Sequence, residues 1–225
     1  MSITFDFSTR YIQIAFNHSI HDVVRILPQI PHDPRVIIEA GTPYVKREGQ
    51  SGIKLIRKYW RGLIVADLKV IDGAQEEVAM AHNAGANAVT AAGTAPKDTL
   101  DHFSDTCDQY KIFSMIDMLG QDNPLKKLFA LKSKPKGVVI HKGRDEEANP
   151  RSIIRYKDIN KIRSKYDVLI SVAGGLNKES VRKAYFNGAS VAILNIVKLT
   201  DANEGLSDMS NFRVMIPSIL KEVGQ

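Results

Sequence analysis

A single cysteine, Cys107, leaves no partner for an internal disulfide and suits a reducing cytoplasm, the expected location. It lies in DTCDQY among polar residues, so a helix-surface position without chemistry is expected for it. Aromatic residues make up only 7% of the chain and do not interleave with the basic ones, which are scattered (Lys126, Lys132, Arg155, Lys161 and Lys165 among them). The net charge of +6 therefore reads as solvated helix faces, and no nucleic-acid partner is expected. Long hydrophobic runs are missing too. None approaches the roughly 18 residues of a membrane-spanning helix, and no membrane association is expected. Residues 1–19 lack a basic segment followed by an apolar block and do not read as a secretory signal. No linker or low-complexity stretch divides the chain, which leaves one domain over residues 1–225.

What is present begins with VADLKVIDGA, residues 65–74. Strand alternation puts Val65, Asp67 and Lys69 on one face and Ala66, Leu68 and Val70 on the other. Asp72 follows, beside a glycine that opens a turn. Charges on a strand with two apolar-looking faces must be paired, metal-bound or catalytic, because isolated buried charge is costly. An exposed edge strand with a salt bridge is the alternative.

The rest of the chain decides between them. Short apolar runs recur at 11–16, 35–40, 63–70, 87–93, 111–117, 137–141, 167–175 and 189–197. Each is followed by an amphipathic stretch: 20–30, 52–60, 74–85, 99–110, 124–134, 153–166, 178–188 and 209–223. Eight strand–helix pairs about 22 to 32 residues apart predict a (β/α)₈ TIM barrel of the α/β class. Asn177 with Glu179 marks one helix start, and Gly85 and Gly188 close two others. A closed barrel has no edge, so the edge-strand alternative fails.

Nearly every run ends in a polar residue or a glycine pair: Asn17, Glu39, Asp67 with Lys69, Thr90, Asp117, His141, Gly174-Gly175 and Asn195. In a barrel these converge at the C-terminal mouth, where such enzymes place their sites. Glu39 and Asp67, from neighbouring strands, are candidate oxygen ligands for Mg²⁺; two carboxylates held by Lys69 without metal is the alternative. Lys69 between carboxylates stays protonated and can stabilise an enediolate oxygen. His141, ending the aliphatic run GVVIH, can exchange protons with that intermediate, and Asp117 lines the same cavity. In SVAGGLNKESV, Ala173, Gly174 and Gly175 precede a helix start whose free N–H groups suit a phosphate.

These residues resemble the orotidine 5′-monophosphate decarboxylase superfamily. The resemblance rests on the DxKxxD pattern of Asp67, Lys69 and Asp72, together with IIEAGTP (37–43), NAVTAAGTAPKDT (87–99), VVIHKGRDEE (138–147) and AGGL (173–176). It covers about residues 11–197. Glutamate at position 39, where orotidine decarboxylases are expected to carry lysine, is similar to the Mg²⁺-dependent branch of 3-hexulose-6-phosphate synthase and 3-keto-L-gulonate-6-phosphate decarboxylase. The resemblance implies a homodimer whose Asp72 reaches the partner's active site, and a sugar-phosphate substrate. It implies a lyase acting through a 1,2-enediolate, with Glu39 and Asp67 on the metal, Lys69 on the enediolate, and His141 and Asp72 moving protons. SMIDMLG and HKGRDEE look more like the synthase, an aldehyde-lyase joining D-ribulose 5-phosphate and formaldehyde. Arg144 is similar to the decarboxylase pattern, a carboxy-lyase. Two motifs depart from the family. Asn17 stands where the first strand should end in aspartate, and Leu194-Asn195 where the eighth should end in a Gly-Arg pair that clasps phosphate. They leave open a non-catalytic homologue or one of different specificity.

Overall fold

A computed structural model describes residues 4–149 and 151–223; the ends of the 1–225 span, including the first three residues of the N-terminal stretch, lie outside it. Eight strands form the barrel: β1 (Tyr11–Phe16), β2 (Val36–Ala40), β3 (Ile64–Val70), β4 (Ala88–Ala92), β5 (Phe113–Asp117), β6 (Gly137–His141), β7 (Leu169–Ala173) and β8 (Val191–Val197). All pair in parallel in sequence order, and β1 closes the ring against β8 with Tyr11 opposite Val191. The predicted TIM barrel is the observed fold.

Alternation along each strand divides the apolar residues into two sets. Tyr11, Ala15, Ile37, Val65, Met115 and Val191 fill the barrel interior. Ile12, Ile14, Ile38, Ala66, Ile116 and Val138 face outward into the larger core under the helices. Those helices are α1 (Ile20–Ile26), α2 (Thr42–Tyr59), α3 (Ala74–Asn83), α4 (Lys97–Gln109), α5 (Pro124–Ala130), α6 (Arg144–Glu147), α7 (Lys157–Arg163), α8 (Lys178–Phe186) and α9 (Phe212–Val223). Among the described residues no helix is long and apolar enough to cross a membrane.

Several local features differ from expectation. α2 starts ten residues before the predicted stretch 52–60, with Pro43 in its first turn and a break at Gly49 (φ 57°). The segment TPYVKREGQ carries little apolar periodicity, so its helicity depends on Tyr44 packing against Gly52. α6 was not anticipated, nor was β9 (Leu206–Ser207), which extends β8 in parallel. Cys107 is fully buried rather than on a helix surface. It shares one face of α4 with Leu100 and Phe103, the i, i+3, i+7 stripe that packs on the barrel, and burial pushes its thiol pKa up. Gly85 and Gly188 close α3 and α8 in the left-handed region as expected, at φ 91° and 92°. Asn177 caps α8 through the Ser180 amide at 3.0 Å rather than with Glu179.

Candidate active site

The polar strand ends meet in a cavity of about 480 Å³ at the C-terminal mouth. The charged strand β3 reaches it by an irregular path. Its register shifts between Ala66 and Val70, and Lys69 adopts φ 49°, a conformation that costs a non-glycine residue about 1 kcal/mol or more. The bulge is held by the Lys69 amide, which donates to Thr90 Oγ1 at 3.0 Å. Asp67 and Lys69 thus share a face as predicted, but a flat strand does not deliver them.

Lys69 Nζ donates to both oxygens of Asp67, at 2.9 and 2.7 Å, and to Asp117 Oδ2 at 2.7 Å. His141 Nδ1 lies 2.8 Å from the same Asp117 oxygen. The Leu119 amide donates to the other Asp117 oxygen at 2.9 Å. Thr42 and Thr90 each donate to Asp67 at 2.6 Å. Asp67, Lys69, Asp117 and His141 therefore form one continuous chain from β3 to β6. Burial pulls the Lys69 pKa down, but Asp67 and Asp117 outweigh it and hold the ammonium protonated. Burial likewise opposes charge on Asp117 and His141. The His141 and Lys69 cations hold Asp117 well below the usual carboxylate range, and Asp117 raises His141.

Glu39 stands beside this chain without a cation of its own. It is 6% exposed and hydrogen-bonded to Gln13 Nε2. Burial and the neighbouring Asp67 push its pKa to about 7. A carboxylate destabilised in this way fits a site that receives a cation. Asp67 is differently placed: Lys69, Thr42 and Thr90 already donate to it, so a cation there competes with Lys69 for its oxygens. Gln13 Oε1 adds to the same wall a buried oxygen with no partner among the described residues. The donor set is hard oxygen throughout, the chemistry Mg²⁺ prefers.

The other side of the mouth is less charged. Asn17 Nδ2 donates to Asn195 Oδ1 at 3.0 Å, pairing the two strand ends that depart from the family pattern. Arg47 donates to the Asn17 carbonyl at 2.8 Å. Arg144 and Ala173 line the cavity with Asn17 and Asn195. Gly174 and Gly175 do not. A Cβ on Gly174 would lie 2.4 Å from the Lys142 carbonyl, and one on Gly175 3.1 Å from the Glu147 carboxylate, so the diglycine turn packs against the segment leading into and along α6. Glu147 in turn accepts from the Asn203 side chain at 3.1 Å and the Glu204 amide at 3.2 Å. Asp72 is exposed just past β3 and lies outside the cavity of its own chain. Lys198 sits 3.6 Å from Asp22, not at the cavity. Residues that sequence reading passed over are Gln13, Thr42 and Glu147. The signal for Gln13 was available: a lone polar residue inside an apolar run, two positions from Ala15 on the inward face.

A parallel barrel that gathers a lysine–carboxylate–histidine chain at its C-terminal mouth has the architecture of the barrel proteins that carry their sites at that face. Comparison with known proteins narrows this further. The chain belongs to the orotidine 5′-phosphate decarboxylase / HUMPS family, whose model matches residues 8–194. It is 38% identical over 188 residues to the bifunctional enzyme Fae/Hps of Methanocella arvoryzae, covering 82% of this chain and 48% of that one. The Methanocaldococcus jannaschii protein of the same name is 36% identical over 174 residues, covering 77% of this chain and 44% of that one. The chain thus spans about half the length of these curated relatives. A crystal structure of 3-hexulose-6-phosphate synthase superposes with a TM-score of 0.76 at 26% identity, covering 91% of this chain and 99% of that one.

Proposed function

We propose that the chain is a Mg²⁺-dependent aldehyde-lyase of the 3-hexulose-6-phosphate synthase kind, joining D-ribulose 5-phosphate to formaldehyde. The observation that carries this reading is the Asp67–Lys69–Asp117–His141 chain beside an uncompensated Glu39. Its similarity to two bifunctional Fae/Hps enzymes and to a 3-hexulose-6-phosphate synthase supports it.

Glu39 and Asp67 would hold the metal. When bound, Mg²⁺ supplies Lewis acidity that polarises the substrate carbonyl. The protein's own groups do the rest. In its neutral form His141 donates Nδ1–H to Asp117, which leaves an unprotonated Nε2 to take the proton from substrate C1. The C–H bond electrons become the 1,2-enediolate, and the fixed Lys69 ammonium stabilises its developing oxygen charge. C1 then bonds to the formaldehyde carbon, and the new alkoxide recovers a proton. Asp117 holds both Lys69 and His141, so it positions base and electrostatic partner together.

The same reading makes the protein a homodimer in which Asp72 moves protons in the partner's site. Exposed Asp72, next to Ile71 at 57% exposure, supports that placement. It also puts the protein in the cytoplasm, where a free thiol such as Cys107 is at home. Arg144 in the cavity wall favours a second reading, a carboxy-lyase acting on a keto-sugar acid phosphate through the same enediolate.

The test is calorimetric titration of D-ribulose 5-phosphate with and without Mg²⁺, followed by turnover assays with formaldehyde and with the keto-acid phosphate. Metal-dependent micromolar binding and formaldehyde consumption are expected. Decarboxylation alone would select the second reading. Binding of Mg²⁺ without any sugar phosphate would make this a homologue of different ligand specificity, as Asn17 and Leu194-Asn195 allow.

A further inference from the structure

Gln13 is the one polar residue within β1, and it points into the barrel at 2% exposure. Its Nε2 donates to Glu39, which fixes the orientation of the amide and leaves Oε1 as its uncommitted end. That oxygen is buried and has no hydrogen-bond partner among the described residues. Leaving a buried acceptor unpaired is unfavourable unless something else meets it. Gln13 lines the cavity, so a partner can come from there. The nearby donors are committed: Lys69 to Asp67 and Asp117, Thr42 and Thr90 to Asp67. What remains around Glu39 is a surplus of oxygen acceptors. Among the described residues no cluster of three or more His, Cys, Asp or Glu side chains could hold a metal. A further protein oxygen beside the two carboxylates therefore has to come from a neutral group, and a carboxamide oxygen is an ordinary ligand for a hard cation.

We propose that Gln13 Oε1 is a third protein ligand of the divalent-cation site at Glu39 and Asp67, an inference that rests on the metal-dependent reading above. One side chain then serves twice, its amide nitrogen orienting Glu39 and its oxygen meeting the cation. The competing partner for Oε1 is a substrate hydroxyl.

The experiment is Mn²⁺ and Zn²⁺ titration of the full chain without substrate, comparing wild type, Gln13→Leu and Gln13→His. Gln13→Leu should weaken Mn²⁺ binding at least tenfold; because it also removes the amide donor to Glu39, the metal-free melting temperature is measured alongside to separate lost affinity from lost folding. Gln13→His should shift preference from Mn²⁺ toward Zn²⁺ at least tenfold, as an imidazole nitrogen in the coordination shell does. A residue that only orients Glu39 would not move that ratio. If the leucine variant fails to fold, Gln13→Met with Cd²⁺ against Mn²⁺ gives the same readout. Wild-type affinity and preference in both variants would overturn the proposal. A raised KM for the sugar phosphate alongside them would assign Oε1 to a substrate hydroxyl instead. Absence of Mn²⁺ binding by the wild type would sink the metal-dependent reading itself, and this inference with it.

Discussion

On the side of the mouth built by β3, β5 and β6, buried charges satisfy one another: Lys69 joins Asp67 to Asp117, and Asp117 joins Lys69 to His141. On the side built by β1, β7 and β8, neutral amides meet. Asn17 pairs with Asn195, and the diglycine turn packs against Lys142 and Glu147. The first side is a closed electrostatic circuit in which no member can change without exposing another. The second is a set of separable contacts, where a guanidinium clasp can be lost without unbalancing buried charge. Under the proposed function, acid–base apparatus and recognition of the ligand's far end would lie on different strands and could diverge separately.

The charged side should break hardest. Lys69→Ala would leave Asp67 and Asp117 buried without their cation, at a cost of about 3–5 kcal/mol in stability. Turnover should fall at least about 1000-fold with loss of the enediolate partner. Thermal unfolding and single-turnover kinetics on one preparation check both, and unchanged turnover would end the mechanism proposed here.

Glu39 sharpens the contrast through pH. Its folded pKa of about 7 lies above the ordinary 4.5, so between those values the folded chain keeps a proton that the unfolded chain has released. Stability therefore falls as pH rises through that window, by up to about 3 kcal/mol. His141, raised by Asp117, adds a loss that begins above its ordinary pKa of 6.5. Melting temperatures from pH 5 to 8 should show the decline, and Glu39→Gln should flatten its lower part. A profile that Glu39→Gln leaves unaltered would place the effect elsewhere.

The neutral side should respond by gain. Replacing Leu194-Asn195 with Gly-Arg restores a bidentate anion contact and should tighten D-ribulose 5-phosphate about tenfold, roughly 1.4 kcal/mol. No gain in calorimetry would mean that the phosphate does not reach β8. The smallest effect is expected from Asn17→Ala, which removes one amide pair and should cost about 1 kcal/mol with kcat little changed. A large fall in kcat would move Asn17 onto the reacting atoms.

Much of the barrel was legible in the sequence because its code is local. Apolar runs at strand length, amphipathic stretches between them and Gly85 and Gly188 at helix ends each depend on a few neighbouring residues. The helical half of TPYVKREGQ escaped because its apolar periodicity is weak, and Cys107 was misplaced because DTCDQY looks polar until Leu100 and Phe103 are placed on the same face. At the site, the strand-end rule found Glu39, Asp67, Lys69, Asp117 and His141. It missed Gln13, which sits below the strand end, and did not foresee that Gly174 and Gly175 pack against Lys142 and Glu147.

The sequence by itself determined that eight strands alternate with helices and that their polar ends share one mouth, since alternation and spacing are properties of neighbours along the chain. Only the tertiary structure decided that Lys69 reaches Asp67 and Asp117 through a bulge, that Asp117 is shared with His141, and that Glu147 packs beside Gly175. Apart from Lys69 with Asp67, those pairings join residues far apart in the chain. Their distances are fixed by closing β1 on β8, a condition that no single segment contains.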